Sequence, residues 1–92
     1  MNKVAIITGA GQGIGLAIAR KLVENGTQVL LNDREKSLTQ EAVASLSRLK
    51  KGSVIGCSGD AADPEVIAEL VSLALLNFGH IDQLVCKDRK SV

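Results

Sequence analysis

The residues of this chain best suited to chemistry form one run near the amino end, Thr8-Gly9-Ala10-Gly11-Gln12-Gly13-Ile14-Gly15, followed at a distance by Asp33. Gly9 permits a sharp turn, and Gly13 lets the backbone approach a bound group without a Cβ in the way. If a helix begins at this turn, its first N–H groups have no acceptor within the helix. With the positive end of the helix dipole behind them, they form a site for a pyrophosphate. The spacing is not the common G-x-G-x-x-G, because position 14 is Ile. Nor is it a Walker loop, because no Lys-Ser or Lys-Thr directly follows. Asp33 stands 18 residues beyond Gly15, about the separation expected of an acid that holds an adenosine ribose. Its carboxylate would accept hydrogen bonds from both ribose hydroxyls and repel a 2′-phosphate. Alone, the glycine cluster also reads as a tight strand-to-helix turn and Asp33 as a cap or turn residue; together they point to a nucleotide.

Strands and helices must alternate to position these groups. Val4-Ala5-Ile6-Ile7 is a short continuous apolar run stopping at Thr8-Gly9, the pattern of a strand buried on both faces. Ile14, Ala17, Ile18, Leu22 and Val23 then fall at helical steps, and Gly26 closes that helix. Val29-Leu30-Leu31 repeats the strand pattern up to Asn32-Asp33. Ser37 and Gln40 suggest a capping box for a second helix with a stripe of Leu38, Ala42, Leu46 and Leu49. Arg48, Lys50 and Lys51 fit its last turn, and Gly52 its end. Val54 to Cys57 reads as a third strand. Asp63-Pro64-Glu65 starts a third helix that carries Val66, Ile67, Leu70, Val71, Ala74, Leu75 and Phe78 and stops at Gly79. Leu73 and Leu76 fall outside its main stripe, so it expects cover on more than one side. Ile81 to Cys86 reads as a fourth strand. The order β-α-β-α-β-α-β implies an α/β fold with a parallel sheet and right-handed crossovers.

The pattern Thr-Gly-x-x-x-Gly-Ile-Gly at Thr8 to Gly15 resembles the cofactor motif of the short-chain dehydrogenase/reductase family. Asp60-Ala61 resembles the family's Asp-hydrophobic pair, whose acid contacts the adenine amine. Phe78-Gly79-His80-Ile81-Asp82-Gln83-Leu84-Val85 is similar to the segment leading into the family's fourth strand. The resemblance covers residues 3–85. It implies a three-layer, Rossmann-like parallel sheet of strand order 3-2-1-4 and a nicotinamide dinucleotide cofactor. The implied cofactor-binding residues are Thr8, Gly9, Gly11, Gln12, Gly13, Ile14, Gly15, Asp33, Arg34, Asp60 and Ala61. Family members that prefer NADP tend to carry a basic residue before the second glycine or after the second strand. Gln12 and Arg34 occupy those places here, and Asp33 beside Arg34 favours NAD over NADP.

After Val85 the pattern breaks: the family's Asn-Asn-Ala-Gly is replaced by Cys86-Lys87-Asp88-Arg89, and Lys90-Ser91-Val92 follow. The family's proton transfer uses a Tyr with a Lys four residues later, and a Ser that orients the substrate carbonyl. This sequence contains no Tyr, so no catalytic residue is assigned. Lys87 and Lys90 read as solvated tail charges and His80 as a turn residue. Residues 1–92 are therefore expected to form a single partial NAD(P)-binding domain, with 86–92 a divergent polar tail. The expected function is the cofactor-binding portion of an oxidoreductase that moves hydride between nicotinamide and an alcohol or ketone, inactive by itself. The alternatives are an interaction module that pairs with a full-length relative, and a truncated product without a selected role. An edge strand bearing Ile81, Leu84 and Val85 also raises self-association.

Composition narrows the setting. A net charge of +1 argues against a nucleic-acid partner. Apolar runs of four or five residues predict no membrane span. Cys57 and Cys86 are too few for a disulfide scaffold or, without a His or Cys cluster, a metal site. Together with the lack of an apolar leader, they predict a cytoplasmic chain.

Overall fold

A computed structural model describes residues 2–50 and 52–85. Four strands, β1 (Val4–Ile7), β2 (Gln28–Asp33), β3 (Val54–Ser58) and β4 (Gln83–Val85), alternate with helices α1 (Gly13–Glu24), α2 (Lys36–Ser47) and α3 (Pro64–Phe78). All pairings are parallel, and the strand order is β3-β2-β1-β4. Ile6 stands beside Leu30 on one side and Leu84 on the other, and Leu30 beside Ile55.

The continuous apolar runs are explained by cover on both faces. Ile7, Val29 and Leu31 pack against Ala19 and Val23 of α1 and Ala42 and Leu46 of α2. The alternate residues, Ile6 and Leu30, pack against Leu70 and Ala74 of α3. All four residues of β1 are buried, as a strand sandwiched between helix layers requires.

Several element details differ from the sequence expectation. The inward face of α1 is Gly15, Ala19 and Val23, while Ile14 is 71% exposed and Ala17 and Ile18 also face outward. Small residues win because the helix lies so close to the β1 turn that a Cβ on Gly15 would overlap the Gly9 carbonyl oxygen. No capping box forms at α2: Glu35 is the N-cap and Ser37 lies within the helix. Asp33 Oδ1 accepts the Glu35 N–H at 3.1 Å instead. The helix ends at Ser47, so Arg48 and Lys50 lie beyond its last turn, and Leu49 is exposed; Lys51 is outside the described residues.

At α3 the expected start is present, with the Asp63 carboxylate accepting the Glu65 N–H at 2.9 Å and Pro64 in the first turn. Leu73, expected to lie off the stripe, packs against the core, whereas Leu75 is half exposed and Leu76 largely exposed. Strand β4 starts at Gln83 rather than Ile81, and the expectations placed on Cys86, Lys87, Lys90 and the rest of 86–92 lie outside the described residues. The stretch before β4 is tied to β1 by side chains. Asp82 Oδ2 accepts the Val4 N–H at 2.8 Å and lies 2.9 Å from His80 Nε2.

Candidate dinucleotide crevice

The carboxyl ends of β1, β2 and β3 are neighbours in the sheet, and the loops leaving them carry the residues singled out in the sequence. The turn after β1 runs from Thr8, buried at the strand end, through Gly9 (φ 64°) to Gln12, the N-cap of α1. It is anchored by Thr8 N–H donating to the Val85 carbonyl at 2.9 Å and Ala10 N–H donating to the Asn32 carbonyl at 2.8 Å. No side chain makes a capping hydrogen bond at α1 and no acid lies in its first turn, and the first N–H groups of a helix have no acceptor within it.

Asp33 joins the second loop to the first. Its Oδ2 accepts the Gly11 N–H at 2.9 Å. A side chain at position 11 would not fit, since a Cβ there would stand 2.8 Å from the Asp33 carboxyl and from Leu38 Cβ. At Gly13 the situation is the reverse: φ is +63° and a Cβ would meet nothing within 4 Å. One glycine is therefore required by the protein's own packing, whereas the other opens onto free space at the helix amino end.

The third loop is held against the second. Asn32, almost fully buried beside the apolar run Val29-Leu30-Leu31 of β2, donates through Nδ2 to the carbonyls of Cys57 at 3.0 Å and Gly59 at 3.1 Å. Gly59 N–H donates to the Asp33 carbonyl at 2.9 Å. This fixes the start of the loop that carries Asp60 and Ala61. Asp60 Oδ1 accepts the Ala62 N–H at 2.9 Å, and its Oδ2 lies 3.8 Å from Arg34 Nη2. Sequence reasoning did not single out Asn32 or Leu38 as supports. The available signal was an amide side chain directly after the apolar run Val29-Leu30-Leu31, because a buried amide must find partners.

The crevice fits a dinucleotide by its own chemistry. The open amide end of α1 suits paired phosphates. Asp33 is engaged once on each oxygen, yet an ionised carboxylate has about four acceptor positions, so capacity remains for sugar hydroxyls. Away from the crevice, the Cys57 thiol is pushed up to about 11, first by burial and then by its 3.2 Å hydrogen bond to Glu69 and that carboxylate's charge. Among the described residues no group of three or more His, Cys, Asp or Glu could hold a metal ion, and no helix is long and apolar enough to cross a membrane.

Comparison with known proteins gives a consistent set of likenesses. The family model described as short chain dehydrogenase matches residues 3–87. The chain is 38% identical over 81 residues to versicolorin reductase 1 of Aspergillus parasiticus, spanning 88% of this chain and 31% of that protein. It is 40% identical over 90 residues to D-beta-hydroxybutyrate dehydrogenase of Rhizobium meliloti, with 92% and 33% covered. Among solved structures, hydroxysteroid dehydrogenase from Escherichia coli superposes with a TM-score of 0.85 at 32% identity, covering 91% of this chain and 35% of that one. L-sorbose reductase from Gluconobacter frateurii, crystallised with NADPH and L-sorbose, gives 0.83 at 36% identity, with 90% and 32% covered. The chain thus spans about a third of the length of these relatives.

Proposed function

The chain belongs to the short chain dehydrogenase family, and we propose that its 92 residues are a single partial domain whose work is to bind a nicotinamide dinucleotide. The observation that carries this reading is the pairing of Gly11 N–H with Asp33 Oδ2 at 2.9 Å, which sets the sugar-binding acid against the phosphate-binding turn. The α1 amides around Gly13 to Gly15 would take the pyrophosphate and Asp33 the adenosine ribose. Thr8, Gly9 and Gly11 shape the turn. Gln12 and the exposed Ile14 flank the phosphates, and Arg34, Asp60 and Ala61 border the adenosine end.

Asp33 supports NAD rather than NADP as the ligand, since its charge opposes a 2′-phosphate. The sugar reductase structure with NADPH shows the alternative choice on a similar frame. A bound nicotinamide ring supplies hydride exchange with a substrate carbon, of an alcohol or ketone in this reading. The chain's own residues bind and orient the cofactor. They supply no Tyr phenol for proton transfer, so the 92 residues by themselves are proposed to bind without turnover. A cytoplasmic setting belongs to the same reading, supported by the small cysteine count.

Calorimetric titration with NAD⁺ tests the proposal. Saturable binding is expected, weakened roughly tenfold or more by Gly13→Val, which fills the open space and strains a left-handed backbone position. Absence of heat with either NAD⁺ or NADP⁺ from a folded chain would remove the reading.

A further inference from the structure

Arg34 follows the acid that faces the ribose, and an arginine in that neighbourhood is the natural receptor for a 2′-phosphate. Its guanidinium is nevertheless turned to the third loop, where Nη2 lies 3.8 Å from Asp60 Oδ2. Asp60 is well placed to hold it. Its Oδ1 is fixed by the Ala62 N–H at 2.9 Å, and its loop is fastened to β2 through Asn32 and the Asp33 carbonyl. The carboxylate is thus anchored, while the arginine side chain is the adaptable member.

We propose that Asp60 is a specificity-determining residue: by holding Arg34 beside its own carboxylate, it withholds that cation from a 2′-phosphate and favours NAD over NADP. The inference rests on the reading of this crevice as a dinucleotide site. It differs from a contact between Asp60 and adenine, which both cofactors share and which would change both affinities alike. Only the ratio of the two affinities reports the withheld charge. Both side chains are about half exposed, so the pair is a weak tether, and its loss is expected to move the ratio only roughly two- to fivefold.

The test is calorimetric titration of the chain, Asp60→Asn, Arg34→Gln and the double variant, each with NAD⁺ and with NADP⁺. Asn keeps the oxygen that accepts the Ala62 N–H, so the loop is retained while the charge is removed. The chain itself should bind NAD⁺ more tightly. Asp60→Asn should raise NADP⁺ affinity relative to NAD⁺ by that factor, and in the Arg34→Gln background the same change should leave the ratio unmoved. Arg34→Gln alone should also leave it nearly unmoved, since the guanidinium is already engaged. An unchanged ratio in Asp60→Asn, an equal shift without Arg34, or a large NADP⁺-specific loss in Arg34→Gln alone would each overturn the inference while NAD⁺ binding stands. Failure of the chain to bind either cofactor would instead overturn the underlying reading, and the inference with it.

Discussion

Asp33 shows how much one carboxylate can organise. It accepts the Gly11 amide on one oxygen and the Glu35 amide on the other, joining the glycine turn to the start of α2. Asparagine has nearly the same shape but only one acceptor oxygen, so one of those two N–H groups would face an NH₂ donor. Asp33→Asn is therefore expected to cost about 1–3 kcal/mol of stability, read as a lower urea midpoint with an unchanged slope. A midpoint equal to that of the unsubstituted chain would show that the hydrogen bond lost to the NH₂ group contributes nothing to the fold.

Among the elements, α3 divides sharply between its two sides. Leu70 is 1% exposed against Ile6 and Leu30, whereas Leu76 is 83% exposed. Leu70→Ala removes a side chain from close packing and is expected to cost about 2–5 kcal/mol. Leu76→Gln should fall within about 0.5 kcal/mol of the original. Urea denaturation of the two variants checks the assignment of faces, and equal losses would contradict it. Helix α1 makes the complementary point: its close approach depends on Gly15 and Ala19 rather than on large side chains, so Ile14 and Ile18 of its sequence-derived stripe are left outside while Val23 packs inward.

Across the whole molecule, titration of Cys57 couples to folding. Its thiol is held up to about 11, against 9.0 for an unperturbed thiol, by burial and by Glu69. The raised value means that the folded chain keeps a proton that the unfolded chain releases. The stabilisation is complete below about pH 9 and is lost as pH rises through about 11. In a Cys86→Ser chain, Cys57 should alkylate slowly at pH 8 because little thiolate is present. Glu69→Gln removes the nearby charge and should speed the reaction, and an unchanged rate would show that Glu69 has no hold on the thiol.

The order of elements, and the residues that the loops after β1, β2 and β3 bring together, were legible in the sequence, because glycines between an apolar run and a helix stripe, and an acid at a strand end, are local patterns. Each follows from backbone freedom or from periodicity over a few residues. The tertiary structure decided which side of α1 turns inward, since Ile14 and Ile18 yield to Gly15 and Ala19 only when a strand turn lies beneath the helix. It likewise decided that Ser37 caps nothing, because Asp33 had already set the start of α2. Arg34 and Asp60 are far apart along the chain and meet only because β2 and β3 are adjacent. A sequence displays what each residue can do, whereas which of its abilities is used depends on neighbours that only the folded sheet brings within reach.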